Sequence, residues 1–176
     1  MTLTIRLARP SDLRHLAAIE DAADGLLEAY VGSAAGSSPP FPTPSGGQRD
    51  LTGTLLVAQA GPELVGFAHL TTPDGHAHLE QLSVLPAHGR QGIGRALVLA
   101  VMEEARWAGH DEISLCTFAE VPFNAPFYAS LGFTETAVLA GFQVRLRTVE
   151  TALGLDEVGP RMVMSAPLGR RQVTDE

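Results

Sequence analysis

Along the chain, apolar and polar positions alternate at residues 4–7 in the manner of a strand. Pro10-Ser11-Asp12 then supplies helix-start chemistry ahead of Leu13, Leu16, Ala17 and Ile19, whose spacing predicts an amphipathic helix reaching about Tyr30. The apolar runs at 55–60 and 64–70 flank Ala60-Gly61-Pro62-Glu63, which predicts an antiparallel hairpin, and Thr72-Pro73-Asp74-Gly75 marks a second turn. A strand over 78–85 stops at Pro86. Residues 92–108 read as a long helix, apolar on most sides through Leu97, Leu99, Met102 and Trp107 and therefore expected to be mostly buried, with Gly109 suited to its C-cap. A strand at 112–117, a short helix at 122–131, a strand at 133–139 and a weaker final strand at 161–166 complete the order. That order predicts an α/β protein (a mixed α+β sheet) with helices on both faces.

Residues 32–47 are crowded with Gly, Ser and Pro and lack an apolar period, so they read as a surface loop over a site. Too little chain precedes the loop to form a separate core, and 176 residues suit one domain over 1–176, ending in a tail at 169–176. The 45% apolar fraction supports a sizeable core, and no segment approaches a membrane-spanning run. All 12 basic residues are arginine. Without lysine there is no Schiff base, no pyridoxal-phosphate anchor and no P-loop, so any phosphate binding must rest on arginine and backbone. A net charge of -8 argues against nucleic-acid and anionic-membrane partners. The lone Cys116 cannot form an internal disulfide, and residues 1–9 show no signal-peptide run, so a cytoplasmic location is expected.

The most informative stretch runs from Leu82, Ser83 and Val84 through Pro86 into Gly89, Arg90, Gln91, Gly92, Ile93, Gly94 and Arg95. A strand enters a glycine loop that opens a helix. Such a loop removes side chains that would block a polyanion, and the first helical turn offers unpaired N–H groups at the positive end of the dipole. A plain strand-to-helix turn is the competing reading. The dinucleotide fingerprint fails because Leu97 stands at its third glycine position.

The loop resembles the acetyl-coenzyme A loop of the GNAT superfamily of N-acetyltransferases, commonly Q/R-x-x-G-x-G/A, with Gly89 at the position usually held by Gln or Arg. A second stretch, Asn124-Ala125-Pro126-Phe127-Tyr128 followed by Gly132-Phe133, is similar to that family's N-x-x-x-x-Y-x-x-x-G-F pattern, with Asn124 and Tyr128 four apart. Both motifs stand in the family's order within residues 4–133. Asn124 is otherwise an ordinary N-cap. The resemblance implies a central, mostly antiparallel sheet, acetyl-CoA as acetyl donor, an amine-bearing acceptor and the option of a homodimer. It also implies that a bulge splays the strand before the loop, that backbone groups at Leu82, Ser83 and Val84 hold the pantetheine arm, and that the Val84 N–H meets the thioester carbonyl. Diphosphate contacts fall to the amides from Arg90 to Arg95, with Asn124, Phe127 and Tyr128 alongside.

Tyr128 takes the family's general-acid position, since a phenol near pKa 10 keeps its proton at neutral pH and can offer it to a departing thiolate. For the base, Glu80 comes first and His78 second, two residues apart on one strand face, either acting through a water. A hydrogen-bonded strand pair is the competing reading. His76, His78 and Glu80 do not complete a metal site, and no metal is expected. Cys116 reads as inert packing. The acidic run Glu20, Asp21, Asp24 and Glu28 could draw a cationic amine or be a solvated face. A non-catalytic acyl-CoA sensor would keep the cofactor motifs without an acceptor pocket.

Overall fold

The computed structural model describes residues 2–31 and 43–169. In it β1 (Leu3–Leu7) turns into α1 (Leu13–Val31). Asp12 fastens that turn by accepting from the Arg9 N–H at 2.7 Å and from the Arg6 guanidinium at 2.6 Å. Next come α2 (Gly46–Asp50), β2 (Gly53–Ala60), β3 (Glu63–Thr71), β4 (Ala77–Val84) and α3 (Ile93–Trp107). The chain closes with β5 (Glu112–Phe118), α4 (Ala125–Ala129), β6 (Thr134–Glu135), α5 (Gly141–Ala152), α6 (Leu155–Val158) and β7 (Arg161–Pro167). The strands form one seven-stranded sheet in the order β1-β2-β3-β4-β5-β7-β6, antiparallel except where β4 runs parallel to β5. The mixed sheet, mostly antiparallel and flanked by helices on both faces, is the architecture expected.

Burial on both faces explains the continuous apolar run of β2. Leu56 and Ala58 face α3, joining Leu97, Val98, Val101, Leu79, Leu115 and Phe133. Leu55 and Val57 face the other way, packing with Phe67 against Leu16 and Ile19 of α1.

Three expectations change. Of the loop placed at 32–47, residues 32–42 lie outside the described residues, but Gly46 and Gly47 open α2, because Ser45 and Gln48 form a capping box there. Gly46 is also required by contact: a Cβ at that position would stand 2.2 Å from the Leu13 carbonyl oxygen, so α2 lies directly on α1. The strand expected over 133–139 is only Thr134–Glu135, and α5 follows unannounced. The final strand, the weaker one expected over 161–166, is present as β7 and is fully paired, with β5 along its whole length and also with β6. Helix α3 buries one side only, leaving Leu99 and Trp107 exposed. Among the described residues no helix is long and apolar enough to cross a membrane.

Candidate active site

Two breaks in the sheet make the site. First, β4 pairs with β5 only at Ala77, His78 and Leu79, so residues 80–84 have no β5 partner. Second, the β3–β4 register steps from His69↔Gln81 to Leu70↔Leu79, which leaves Glu80 as the extra residue of a bulge. The bulge reverses the side-chain alternation. His78, Glu80, Gln81 and Ser83 share the α1 face, whereas Leu82 and Val84 turn to the α3 face, where they pack with the main core. Strict alternation from His78 would have put Leu82 and Val84 on the polar side.

The hydrogen-bond phase of β4 also follows from the register. Leu85 N–H donates to the Val65 carbonyl at 2.8 Å. Alternate residues Ser83 and Gln81 therefore turn their backbone groups to β3, and Leu82 and Val84 turn theirs to the gap left by β5. These are donors and acceptors beside the glycine loop with no strand to satisfy them.

The loop itself curls through two left-handed residues, Arg90 (φ 59) and Gly92 (φ 80). Arginine rarely takes that conformation, which fixes a tight, specific path into α3. Gly92 is the N-cap of α3, and Ala96 N–H is the first to close back on its carbonyl, so Ile93, Gly94 and Arg95 present the orphan N–H groups of the first turn. Gly89 and Gln91 shape the loop through Gly89 N–H to Pro86 O and Gln91 Nε2 to Ala87 O. The Phe127 ring lies 3.5 Å from where a Gly94 Cβ would stand, with Leu82 and Val84 at 3.9 Å. The second motif is thereby brought against the first.

Asn124 occupies the N-cap position of α4 but makes no side-chain capping bond, which leaves its amide uncommitted. Tyr128, on α4, packs edge-on against Phe127 and Phe133. Its hydroxyl has no hydrogen-bond partner among the described residues. Burial raises its pKa, with the positive charge of Arg161 opposing, so the phenol stays protonated. It is then a weaker acid than a thiol near 8.5; even from an unperturbed phenol, full transfer to thiolate runs uphill by about 2 kcal/mol. Tyr128 is suited to donate a hydrogen bond as charge develops rather than to give up its proton outright.

On the other face lies a cleft of about 640 Å3 lined by Pro44, Gln48, Arg49, Thr52, His69, Thr71, Thr72, Pro73 and Glu80. Glu80 keeps 43% of its side-chain surface accessible yet has protein on most sides. Desolvation raises its pKa, Arg49 works against the rise, and the like charge of Glu150 adds to it. A carboxylate that is reachable and more basic than usual is what a general base requires.

His78 is placed differently from a freely accessible base. It is 3% exposed, its Nδ1 lies 2.9 Å from the Ser114 hydroxyl, and its Nε2 is 3.9 Å from a Glu80 carboxylate oxygen. Phe142 of α5 packs edge-on against its ring. Burial lowers its pKa to about 4 despite the nearby Glu150, so it is neutral at pH 7 and sits behind Glu80. His76 is exposed and stacked on Phe142. Among the described residues no group of three His, Cys, Asp or Glu side chains is arranged to hold a metal ion. The Cys116 thiol donates to Glu150 at 3.0 Å, and burial pushes it up to about 12, so it is not a ready nucleophile.

Sequence reasoning missed Arg49, which sits at the edge of a stretch read as loop. It binds Glu20 through two hydrogen bonds, 2.6 and 2.7 Å, and reaches His69 Nδ1 at 3.3 Å. Glu20, first in the acidic run, is thus committed to Arg49.

Comparison with known proteins identifies the family. The family model described as the acetyltransferase (GNAT) family matches residues 19–133, well over half of the chain, and the protein belongs to that family. Mycothiol acetyltransferase of Clavibacter sepedonicus is 32% identical over 89 residues, which are 51% of this chain and 29% of that one. The match spans less than a third of that relative's length. Ribosomal-protein-S18-alanine N-acetyltransferase from Escherichia coli has a similar structure, with a TM-score of 0.66 at 19% identity over 99% of each chain. PaiA N-acetyltransferase from Thermoplasma acidophilum, solved in complex with coenzyme A, gives 0.66 at 19% identity over 95% of this chain and 99% of that one. At such identities the likeness is one of fold. Helices α5 and α6 and strand β7 lie beyond the residues the family model matches.

Proposed function

We propose that the protein is an acetyl-CoA-dependent N-acetyltransferase, a single domain working in the cytoplasm, that passes acetyl directly to a primary amine of a small molecule or peptide. The observation that carries the reading is the gap beside β4. Unpaired backbone groups of Leu82 and Val84 face it, the first turn of α3 opens next to it, and Glu80 waits on the opposite face of the same strand.

The residues present fit acetyl-CoA without lysine. Amides of Arg90 to Arg95 suit a diphosphate, as helix N-termini do. A strand-like pantetheine arm can add to the open edge of β4 through Leu82 and Val84, with the Val84 N–H as carbonyl donor, while Asn124, Phe127 and Tyr128 close the far side. Ser83, also expected to hold the arm, turns its backbone groups to β3 instead.

Transfer forms a C–N bond and breaks a C–S bond, so the acceptor must lose a proton and the sulfur must gain one. Glu80 accepts the amine's proton, directly or through a water. His78 backs the carboxylate from the buried side. The Val84 N–H stabilises charge on the carbonyl oxygen, and the Tyr128 hydroxyl stabilises it on the sulfur, with solvent completing the protonation.

Calorimetric titration with acetyl-CoA tests the donor assignment. Saturable binding that coenzyme A displaces and ATP or NAD does not is the expected result; tighter binding of either nucleotide would overturn it.

A further inference from the structure

Arg49 is joined to three elements around the acceptor cleft. Its own helix, α2, rests on α1 at Gly46. Its Nη2 holds both oxygens of Glu20 on α1, and its Nη1 meets His69 Nδ1 on β3. Because a guanidinium only donates, His69 Nδ1 must be the acceptor and Nε2 carries the hydrogen, facing Thr52 Oγ1 at 3.5 Å. Thr52 in turn donates to the Arg49 carbonyl at 3.1 Å. Arg49 and Glu20 are each at least nine-tenths buried, and the Arg49 guanidinium also lies 5.7 Å from the Phe67 ring centre. The chain thus places a buried ion pair in the wall of a cleft that Glu80 also lines.

Buried ion pairs seldom add net stability over an apolar replacement, because desolvation offsets the attraction. Electrostatics supplies another use. The groups facing Glu80 are Arg49 from α2 with Glu20 behind it on α1, His69 on β3, His78 on its own strand, and Glu150 from α5. His69 is held neutral, its pKa lowered to about 4 by burial and then by the Arg49 charge, and His78 is likewise neutral. Glu150 is bound by Arg147 and Arg161. Arg49 is the cation left to act on Glu80 from the cleft wall.

We propose that Arg49 is a positioning residue of the acceptor site, clamped by Glu20 and braced on His69 so that it presents a fixed positive charge in the cleft that the Glu80 carboxylate also lines. Burial in the cleft alone would push Glu80 towards its neutral, useless form, and Arg49 opposes that push. The proposal rests on Glu80 being the base for its kinetic consequence, but the charge relation itself does not.

The test is a 13C NMR titration of the Glu80 carboxyl carbon, assigned through Glu80→Gln, in protein without substrate. The double variant Glu20→Gln/Arg49→Met removes the ion pair without stranding a buried charge, so it avoids the folding loss expected of Arg49→Met alone. It should raise the Glu80 pKa by on the order of one unit. Arg49→Lys keeps a positive charge beside Glu20, so no buried charge is stranded, and should leave that pKa near the wild-type value while the two-pronged clamp is lost. A purely structural role would move both variants together, and an unshifted Glu80 in the double variant would overturn the proposal. If the shifts appear while Glu80→Gln leaves the rate unchanged, the charge relation stands and the assignment of the base fails.

Discussion

Glu80→Gln is expected to lower kcat/KM at pH 7 by about 10²- to 10³-fold, within the range of a positioned general base. The size follows from the acceptor. A primary alkylamine with a pKa near 10 is about one part in a thousand uncharged at pH 7. A carboxylate, though the weaker base, lowers that handicap by passing the ammonium proton on to solvent while C–N bond formation traps the uncharged amine. The pH profile is the sharper signature. In the wild type the rate falls only when the Glu80 carboxylate is protonated, and desolvation raises that point above the ordinary carboxylate range. In the variant the acid limb moves to the amine's own pKa, so the deficit is largest at low pH and closes as pH rises. Parallel profiles in the two proteins would mean that Glu80 is not the base.

The second large effect concerns Tyr128→Phe. The hydroxyl has no hydrogen-bond partner among the described residues, and the ring packs against Phe127 and Phe133 in a way phenylalanine can keep. Folding and acetyl-CoA affinity should therefore change less than twofold, while kcat falls by about 10- to 100-fold, the worth of one hydrogen bond made to developing charge. Because the thiol is the stronger acid, the loss should be largely independent of pH between 7 and 9. A loss that appeared equally in binding would make Tyr128 a packing residue of the cofactor site.

The parts of this site that were legible in the sequence are those set by local backbone demands. Gly92 takes a left-handed N-cap and Gly94 lets Phe127 approach, and glycines spaced in this way before a helix announce both needs. Asn124 and Tyr128 were read from the resemblance of the second motif, and the structure puts them at the N-cap position of α4 and on that helix. The resemblance implied a bulge in this strand, but its place at Glu80 was not legible, because it arises from pairing with β3, and neither strand alone shows which residue will be left over. The burial of His78 was not legible because the residues that enclose it, Ser114 and Phe142, are 36 and 64 positions away in the chain. Helix α5 hid itself: its buried positions include Gln143 and Glu150, while Val144 and Val149 are exposed, which inverts the usual apolar period. Glu150 is buried because Arg147, Arg161 and Cys116 meet it there. Arg49 was hidden by its surroundings, a stretch rich in Gly, Ser and Pro, where a capping box at Ser45 and Gln48 was the one available sign of a helix.

Incubating the protein with acetyl-CoA labelled in its acetyl group and a panel of amines and amino-terminal peptides tests the central claim most directly. The account predicts label in an amide of at least one amine, with free coenzyme A released in equal amount and both slowed by about 10²-fold or more at pH 7 in Glu80→Gln. Tight acetyl-CoA binding with no labelled amide from any amine across pH 6 to 9 would contradict it and leave an acyl-CoA sensor in its place.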